Sequence, residues 1–271
     1  ILHISGAKGW GGNEQQMIYI FPHLQNLGIE NIVFGVNNSV LQKHCENMNI
    51  KFYEAKSNKL NKFINYHYLY AITKKIQPDI IHLHTSDSLT LFAISDFLFK
   101  LKTKAIFSKK GMGASSSILS KLKYNYKGLS SIVCVSNSVK RDLSKILNKK
   151  TKNKTVVIHD CVSLNILNLK TTVNLRKINK IAPEIKIVGN IANHTNAKDL
   201  PTFINVVDEI VNQLKRKDIK FIQIGEFTKG TLELKQLVKK KGLEGAIIFT
   251  DKIENASSLV PQLDVFLMTS Q

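Results

Sequence analysis

The sequence predicts an α/β protein built on parallel sheets with helices on both faces. Three observations lead there. Short apolar runs, too short for helices, alternate with longer stretches of helical periodicity along almost the whole chain. Strand–helix alternation at this spacing calls for crossover connections, which make the strands parallel. The 271 residues, 43% hydrophobic and 22% charged, suffice for one large or two medium domains with their own cores and exclude a disordered chain.

Taken in order, Ile1–Ser5 reads as a strand, followed by the loop GAKGWGGNE and a helix from Gln15 to Leu27 that Pro22 should kink or split. Asn31–Val36 is a predicted strand, Leu41–Met48 a helix and Lys51–Tyr53 a short strand. A helix over Leu60–Ile76 ends at Gln77-Pro78, and Asp79–His84 (DIIHLH) is the next strand. Leu89–Leu101, Ile118–Tyr126 and Val139–Leu147 are predicted helices, interleaved with strands at Lys104–Phe107, Ser131–Val135 and Thr155–His159. Ser136 or Asn137 suits the N-cap of the last of these helices. Residues 164–184 are polar and rich in Lys and Asn, and read as a linker with a short helix.

The chain resumes at Ile185–Ile191, an apolar run suited to a buried parallel strand. It breaks through Asn193, His194, Thr195 and Asn196 and reaches Lys198, after which Leu200, Phe203, Ile204, Val207 and Ile210 recur at helical spacing. Unpaired N–H groups and the helix dipole favour phosphate at such a helix start, and Lys198 adds a full charge. An ordinary strand-to-helix loop with a solvated lysine satisfies the same pattern. Beyond it, Lys220–Ile224, Ala246–Phe249 and Leu263–Met268 read as strands, with helices at Leu232–Lys241, closed by Gly242, and Ala256–Val260.

The net charge is +19, and residues 1–165 hold 23 basic against 9 acidic side chains. Such a field favours polyanions, whether nucleic acid, an acidic membrane face or phosphorylated substrates. Dispersed lysines, few arginines and no recognition motif count against nucleic acid. Ile118–Leu129 mixes apolar and aromatic residues with Lys121 and Lys123, close to Lys109 and Lys110, which suits either a helix lying on an acidic membrane or a sheet-covering helix with a basic edge. No run of about 18 apolar residues would span a bilayer. Cys45, Cys134 and Cys161 lack metal-ligand spacing and suit reduced thiols in a cytosol. Strand Ile1–Ser5 leaves no room for a signal peptide, and both ends give the impression of a clipped chain.

The loop after the first strand does not spell G-x-G-x-x-G, since Glu14 stands where its last glycine would be. Gly11-Gly12-Asn13-Glu14 instead resembles the Gly-Gly-x-Glu loop of family 4 glycosyltransferases of the GT-B fold. Further segments are similar in the same order. Asp79–Thr85 resembles the segment whose second histidine, here His84, reaches the transferred sugar, and Lys109–Gly113 stands where the family often has His-Gly. Val135–Ser138 resembles a Val-Ser segment, and Asp160-Cys161 replaces an Asn-Gly turn. Gly189 through Lys198 resembles the donor-diphosphate segment, with Asn190 in the place of its arginine and Asp199 in that of a glycine. Gly225 opens a Gly-x-Gly-like turn, and Lys252 and Ile253 fall on the base-recognition loop. The family's paired glutamates would lie beyond Gln271.

The resemblance implies two Rossmann-like (GT-B) domains facing a cleft, over residues 1–163 and 185–271, the second incomplete. It implies a retaining hexosyltransferase moving sugar from a UDP- or GDP-sugar to a saccharide or lipid-linked hydroxyl in cell-surface polysaccharide or lipopolysaccharide synthesis, in the cytoplasm or peripherally on the inner membrane face. His84 would be catalytic; Gly11, Gly12, Asn190, Lys198, Gly225, Lys252 and Ile253 would bind donor; Glu14, Lys109, Lys110, Lys121 and Lys123 would face acceptor or membrane. No Asp-x-Asp occurs, so no metal or other cofactor is expected, and a chain without the glutamates is expected to be inactive. A GT-B sugar-nucleotide epimerase is the alternative enzyme, and a basic nucleic-acid-binding protein the alternative from another class.

Overall fold

The computed structural model describes residues 1–162, 166 and 168–270. The chain forms two compact units, Ile1–Val162 and Ser163–Gln271. The boundary expected at residues 163–164 and the terminal Gln271 lie outside the described residues.

In the first unit seven parallel strands, β1 (Leu2–Ser5), β2 (Ile32–Gly35), β3 (Lys51–Glu54), β4 (Ile80–Leu83), β5 (Lys104–Lys109), β6 (Leu129–Cys134) and β7 (Thr155–Val157), lie in the order β3-β2-β1-β4-β5-β6-β7. Helices α1 (Gly12–Asn26), α2 (Val40–Asn47), α3 (Phe63–Ile76), α4 (Ser86–Phe99), α5 (Ile118–Tyr124), α6 (Asn137–Ser144) and the single turn α7 (Lys149–Lys152) connect them. Every residue of β1 and β2 is buried, as a parallel sheet covered on both faces requires. One core gathers Ile4, Leu83, Phe92 and Phe107 on one side, and Met17, Phe21, Val33 and Leu41 form a second beneath α1 and α2.

Pro22 does not split the helix, and α1 runs from Gly12 to Asn26. Proline removes one helical hydrogen bond near the end of the helix, whereas Met17 and fully buried Phe21 hold that face on the core. Ser136 caps α6, its hydroxyl accepting from Val139 N–H at 3.2 Å.

The second unit holds β8 (Lys186–Ile191), β9 (Ile219–Ile224), β10 (Ile247–Thr250) and β11 (Val265–Phe266), parallel and in the order β10-β9-β8-β11. The short helix α8 (Leu175–Ile178) precedes them, and Leu175 and Ile181 are buried with Ile187, Ile222 and Leu259 in this unit's core. Helix α9 (Leu200–Asp208), continued by one π turn over Glu209–Gln213, and α10 (Thr231–Lys240) cover the other face through Phe203, Ile204, Val207 and Leu234. Gly242 ends α10 at φ +65°, a left-handed stop that glycine adopts without strain.

Candidate active site

Both sheets reverse their strand order at one place, β1/β4 in the first unit and β8/β11 in the second. Ligands of open parallel sheets bind beyond the carboxyl ends of the strands at such a switch point, because the two connections there leave in opposite directions.

In the first unit β1 leads through the loop to α1, whose N-cap Gly11 is extended and supplies no side-chain cap. The amides of the first turn have no intrahelical acceptor, so this helix start presents N–H groups and positive dipole. A Cβ on Gly12 would meet nothing within 4 Å, so the backbone there lies open. Glu14, expected on the acceptor side, is buried instead; its Oε1 accepts from Asn13 Nδ2 at 3.1 Å and Ser5 Oγ at 3.5 Å. The third helical position points this carboxylate back at the strand, where it balances the helix dipole. Asn13 Nδ2 also donates to His84 O at 3.1 Å, tying the helix start to the end of β4.

His84 follows β4 directly and is 7% exposed. His82, two residues earlier and within β4, is only partly buried. Parallel pairing of β1 with β4 sets His3 beside His82, and the three imidazoles make one cluster. His82 and His84 lie 4.0 Å apart between ring centroids, His3 and His84 5.3 Å apart and stacked. His3 Nδ1 is 3.1 Å from His84 Nε2, His3 Nε2 is 3.1 Å from Asn31 Oδ1, and His82 Nε2 is 2.8 Å from Ser108 Oγ. Burial, reinforced by the charge of His82, lowers His3 to about 3. Burial, with the charge of Lys110, lowers His82 to about 4. Burial, and then charges on His82, His3 and Lys110, hold His84 well below the usual imidazole range. All three are therefore neutral at pH 7.

The basic residues expected on the acceptor or membrane side divide. Lys110 is ion-paired with Asp160, and Lys109 donates to Gly111 O. Lys123 donates to Ser86 Oγ at 2.7 Å. Burial lowers both the Lys109 and Lys123 amines. Those three lysines are spoken for by the fold at the strand ends; Lys121 is exposed, on a helix that also exposes Ile118, Leu119 and Leu122. Asp160-Cys161 is held against α1, Gln16 Nε2 donating to Cys161 O at 2.6 Å.

In the second unit β8 passes through Asn193–Thr195 into a 3-10 turn, Asn196–Lys198, and then α9. Asp199, at φ +44°, caps α9 by accepting from Thr202 N–H. Lys198 is exposed immediately before that helix start, and its carbonyl accepts from Thr269 Oγ1 at 3.1 Å across the switch point. His194 braces the loop from within, bonded to Gln223 Oε1 at 2.6 Å and Thr231 Oγ1 at 2.8 Å, while its carbonyl accepts from Thr228.

Three expected donor residues have partners within their own unit. Asn190 is 2% exposed and its Nδ2 donates to Leu267 O at 2.8 Å, so the side chain serves the sheet rather than an open loop. Gly225 is needed for close approach of the chain to itself: a Cβ there would sit 1.9 Å from Ala192 O. Ile253 packs into the core of its unit, whereas Lys252 is exposed, its N–H bonded to Asp251 Oδ1 at 2.7 Å. His3, Asn31 and His194 were not singled out by sequence reasoning. A histidine in an apolar strand was the signal for His3, but its neighbour is set by strand pairing 79 residues away, at His82.

The model of the Glycosyltransferase Family 4 domain matches residues 10–165, more than half of the chain. The chain belongs to glycosyltransferase family 4. The model for glycosyl transferases group 1 matches residues 182–271. No curated protein sequence matches the chain. Among solved structures, Alr3699/HepE from Anabaena in complex with UDP-glucose is similar at a TM-score of 0.81 with 17% identity, over 99% of this chain and 73% of that one. A glycosyltransferase from Rickettsia africae is similar at 0.79 with 23% identity, over 99% and 72%. The lipopolysaccharide outer core galactosyltransferase WaaB is similar at 0.66 with 14% identity, over 99% and 73%. At these identities the structures establish the shared GT-B fold.

Proposed function

We propose that this family 4 glycosyltransferase moves a hexosyl group, with retention of configuration, from a nucleotide-sugar to a hydroxyl acceptor in cell-surface polysaccharide or lipopolysaccharide synthesis. The observation that carries the reading is exposed Lys198 standing directly before the start of α9, in the unit matched by the glycosyl transferases group 1 model. A departing diphosphate gains negative charge in the transition state, and the Lys198 ammonium stabilises charge where it develops; the first turn of α9 adds little, since Pro201 has no N–H and Asp199 already accepts from Thr202 N–H. His84, neutral and at the end of β4, contacts the sugar. Gly11 and Gly12, the latter with open backbone, receive the donor. UDP is the first base to test, since the Anabaena structure holds UDP-glucose. The donor is held without a metal.

The acceptor side is proposed to work at the inner face of the cytoplasmic membrane. No described helix is long and apolar enough to cross a membrane. Helix α5 exposes Ile118, Leu119 and Leu122 at 77%, 78% and 66%, and Met112 at 63% lies just before it, a patch suited to a lipid-linked acceptor's bilayer.

The test is a thermal-shift panel of UDP, GDP and their sugar conjugates on the parent and on Lys198→Ala. A nucleotide that raises the parent's melting temperature and loses its effect in the variant is the expected result and names the base. A nucleotide that stabilises both equally would remove Lys198 from the donor site.

A further inference from the structure

The histidine cluster carries information that hydrogen-bond bookkeeping makes explicit. Asn31 Nδ2 lies 3.4 Å from Phe21 O and 3.3 Å from Ile29 O, two carbonyls that can only accept. The amide is therefore oriented with its NH2 toward them and its Oδ1 toward His3. Asn31 Oδ1 only accepts, so His3 must donate from Nε2. A neutral His3 then has a lone pair at Nδ1, and the 3.1 Å contact requires His84 to donate from Nε2. His84 is left with a lone pair at Nδ1.

No described residue bonds to His84 Nδ1. The buried side-chain atoms without a partner are Asn13 Oδ1, Tyr53 Oη, Ser95 Oγ and Ser258 Oγ. His84 Nδ1 is not among them, and the residue keeps 7% of its surface exposed. We propose that Asn31 and His3 form a relay that sets the tautomer of His84, so that His84 meets its ligand as a hydrogen-bond acceptor at Nδ1 and selects a hydroxyl that donates. The last clause rests on the reading of His84 as a sugar contact; the relay does not. Asn31 and His3 are positioning residues, since they act through His84.

Three histidine nitrogens within 4.8 Å of one another could also attract a divalent transition metal. His3 and His84, however, stack on each other, and His82 Nε2 is engaged by Ser108. A chelate would need unprotonated nitrogens where the relay has a proton.

Ring-nitrogen NMR of the histidine-labelled chain at neutral pH decides. The expected spectrum has His84 protonated at Nε2 and bare at Nδ1, and His3 in the same tautomer. In His3→Phe, which keeps an aromatic ring against Phe21 but removes the acceptor, His84 is expected to populate both tautomers. A parent His84 protonated at Nδ1 would overturn the relay, as would His3 Nδ1 and His84 Nε2 both lacking a proton, or an undisturbed Nε2–H in His3→Phe. The parent spectrum suffices if the variant does not fold. UDP-glucose titration then reports separately: a tautomer as stated with His84 signals unmoved by the sugar would sink the sugar contact and leave the relay standing.

Discussion

Lowering the pH from 7 to 5 should strongly destabilise the first unit through its histidine cluster. Burial lowers His3 to about 3, His82 to about 4, and His84 well below the ordinary value of 6.5. The folded chain thus keeps all three neutral, while the unfolded chain takes up a proton on each below about 6.5. Their contribution is fully present above pH 6.5 and is lost as pH falls toward the folded values. At pH 5 an unfolded imidazole gains about 2 kcal/mol from protonation that folded His3 and His82 do not, so those two cost about 4 kcal/mol, and His84 adds to the loss in the same direction. That rivals the whole stability of a typical domain, roughly 5–15 kcal/mol. Carboxylates that the fold holds below 3.8, such as Asp142 and Asp218, titrate outside this window. The assay is urea unfolding at half-unit pH steps, followed by fluorescence of Trp10, the single tryptophan and a residue of this unit. Stability should fall by up to about 4 kcal/mol per pH unit below pH 6, and by about one third less in His3→Phe. A midpoint that stays constant from pH 7 to 5 would refute the argument.

Other outcomes follow from single contacts. Gly225→Ala sets a Cβ 1.9 Å from backbone Ala192 O, which a side-chain rotation cannot relieve, so it should cost about 3 kcal/mol or more in denaturant titrations; a loss under 1 kcal/mol would mean that the β8 loop yields freely. Ser136→Ala removes the α6 cap and should cost about 1 kcal/mol in the same titrations, with Ser136→Asp restoring most of it. The double variant Leu119→Glu/Leu122→Glu replaces two exposed apolar side chains, so the melting temperature should hold while flotation with anionic liposomes falls severalfold. Equal flotation of parent and variant would remove α5 from any membrane contact.

Strand–helix alternation and apolar runs determined the architecture, because burial on both faces of a parallel sheet leaves its mark residue by residue along β1 and β2. Lys198 before a helix start was legible for the same reason: strand, loop and helix are consecutive in the chain. Pro22 does not split α1, because its local rule ignores what Met17 and Phe21 gain by packing. Asn190 lies within β8 and Glu14 within the first turn of α1, and whether each faced solvent or the sheet depended on Leu267 and Ser5, partners brought in by the fold. The histidine cluster was beyond local reading altogether. His82 and His84 announce themselves in DIIHLH, but their protonation depends on His3 and Asn31, which only the β1–β4 pairing and the cover of α1 bring within hydrogen-bond reach. A sequence lists which groups can donate and accept; the tertiary structure decides which of them are paired, and so what remains to meet a substrate.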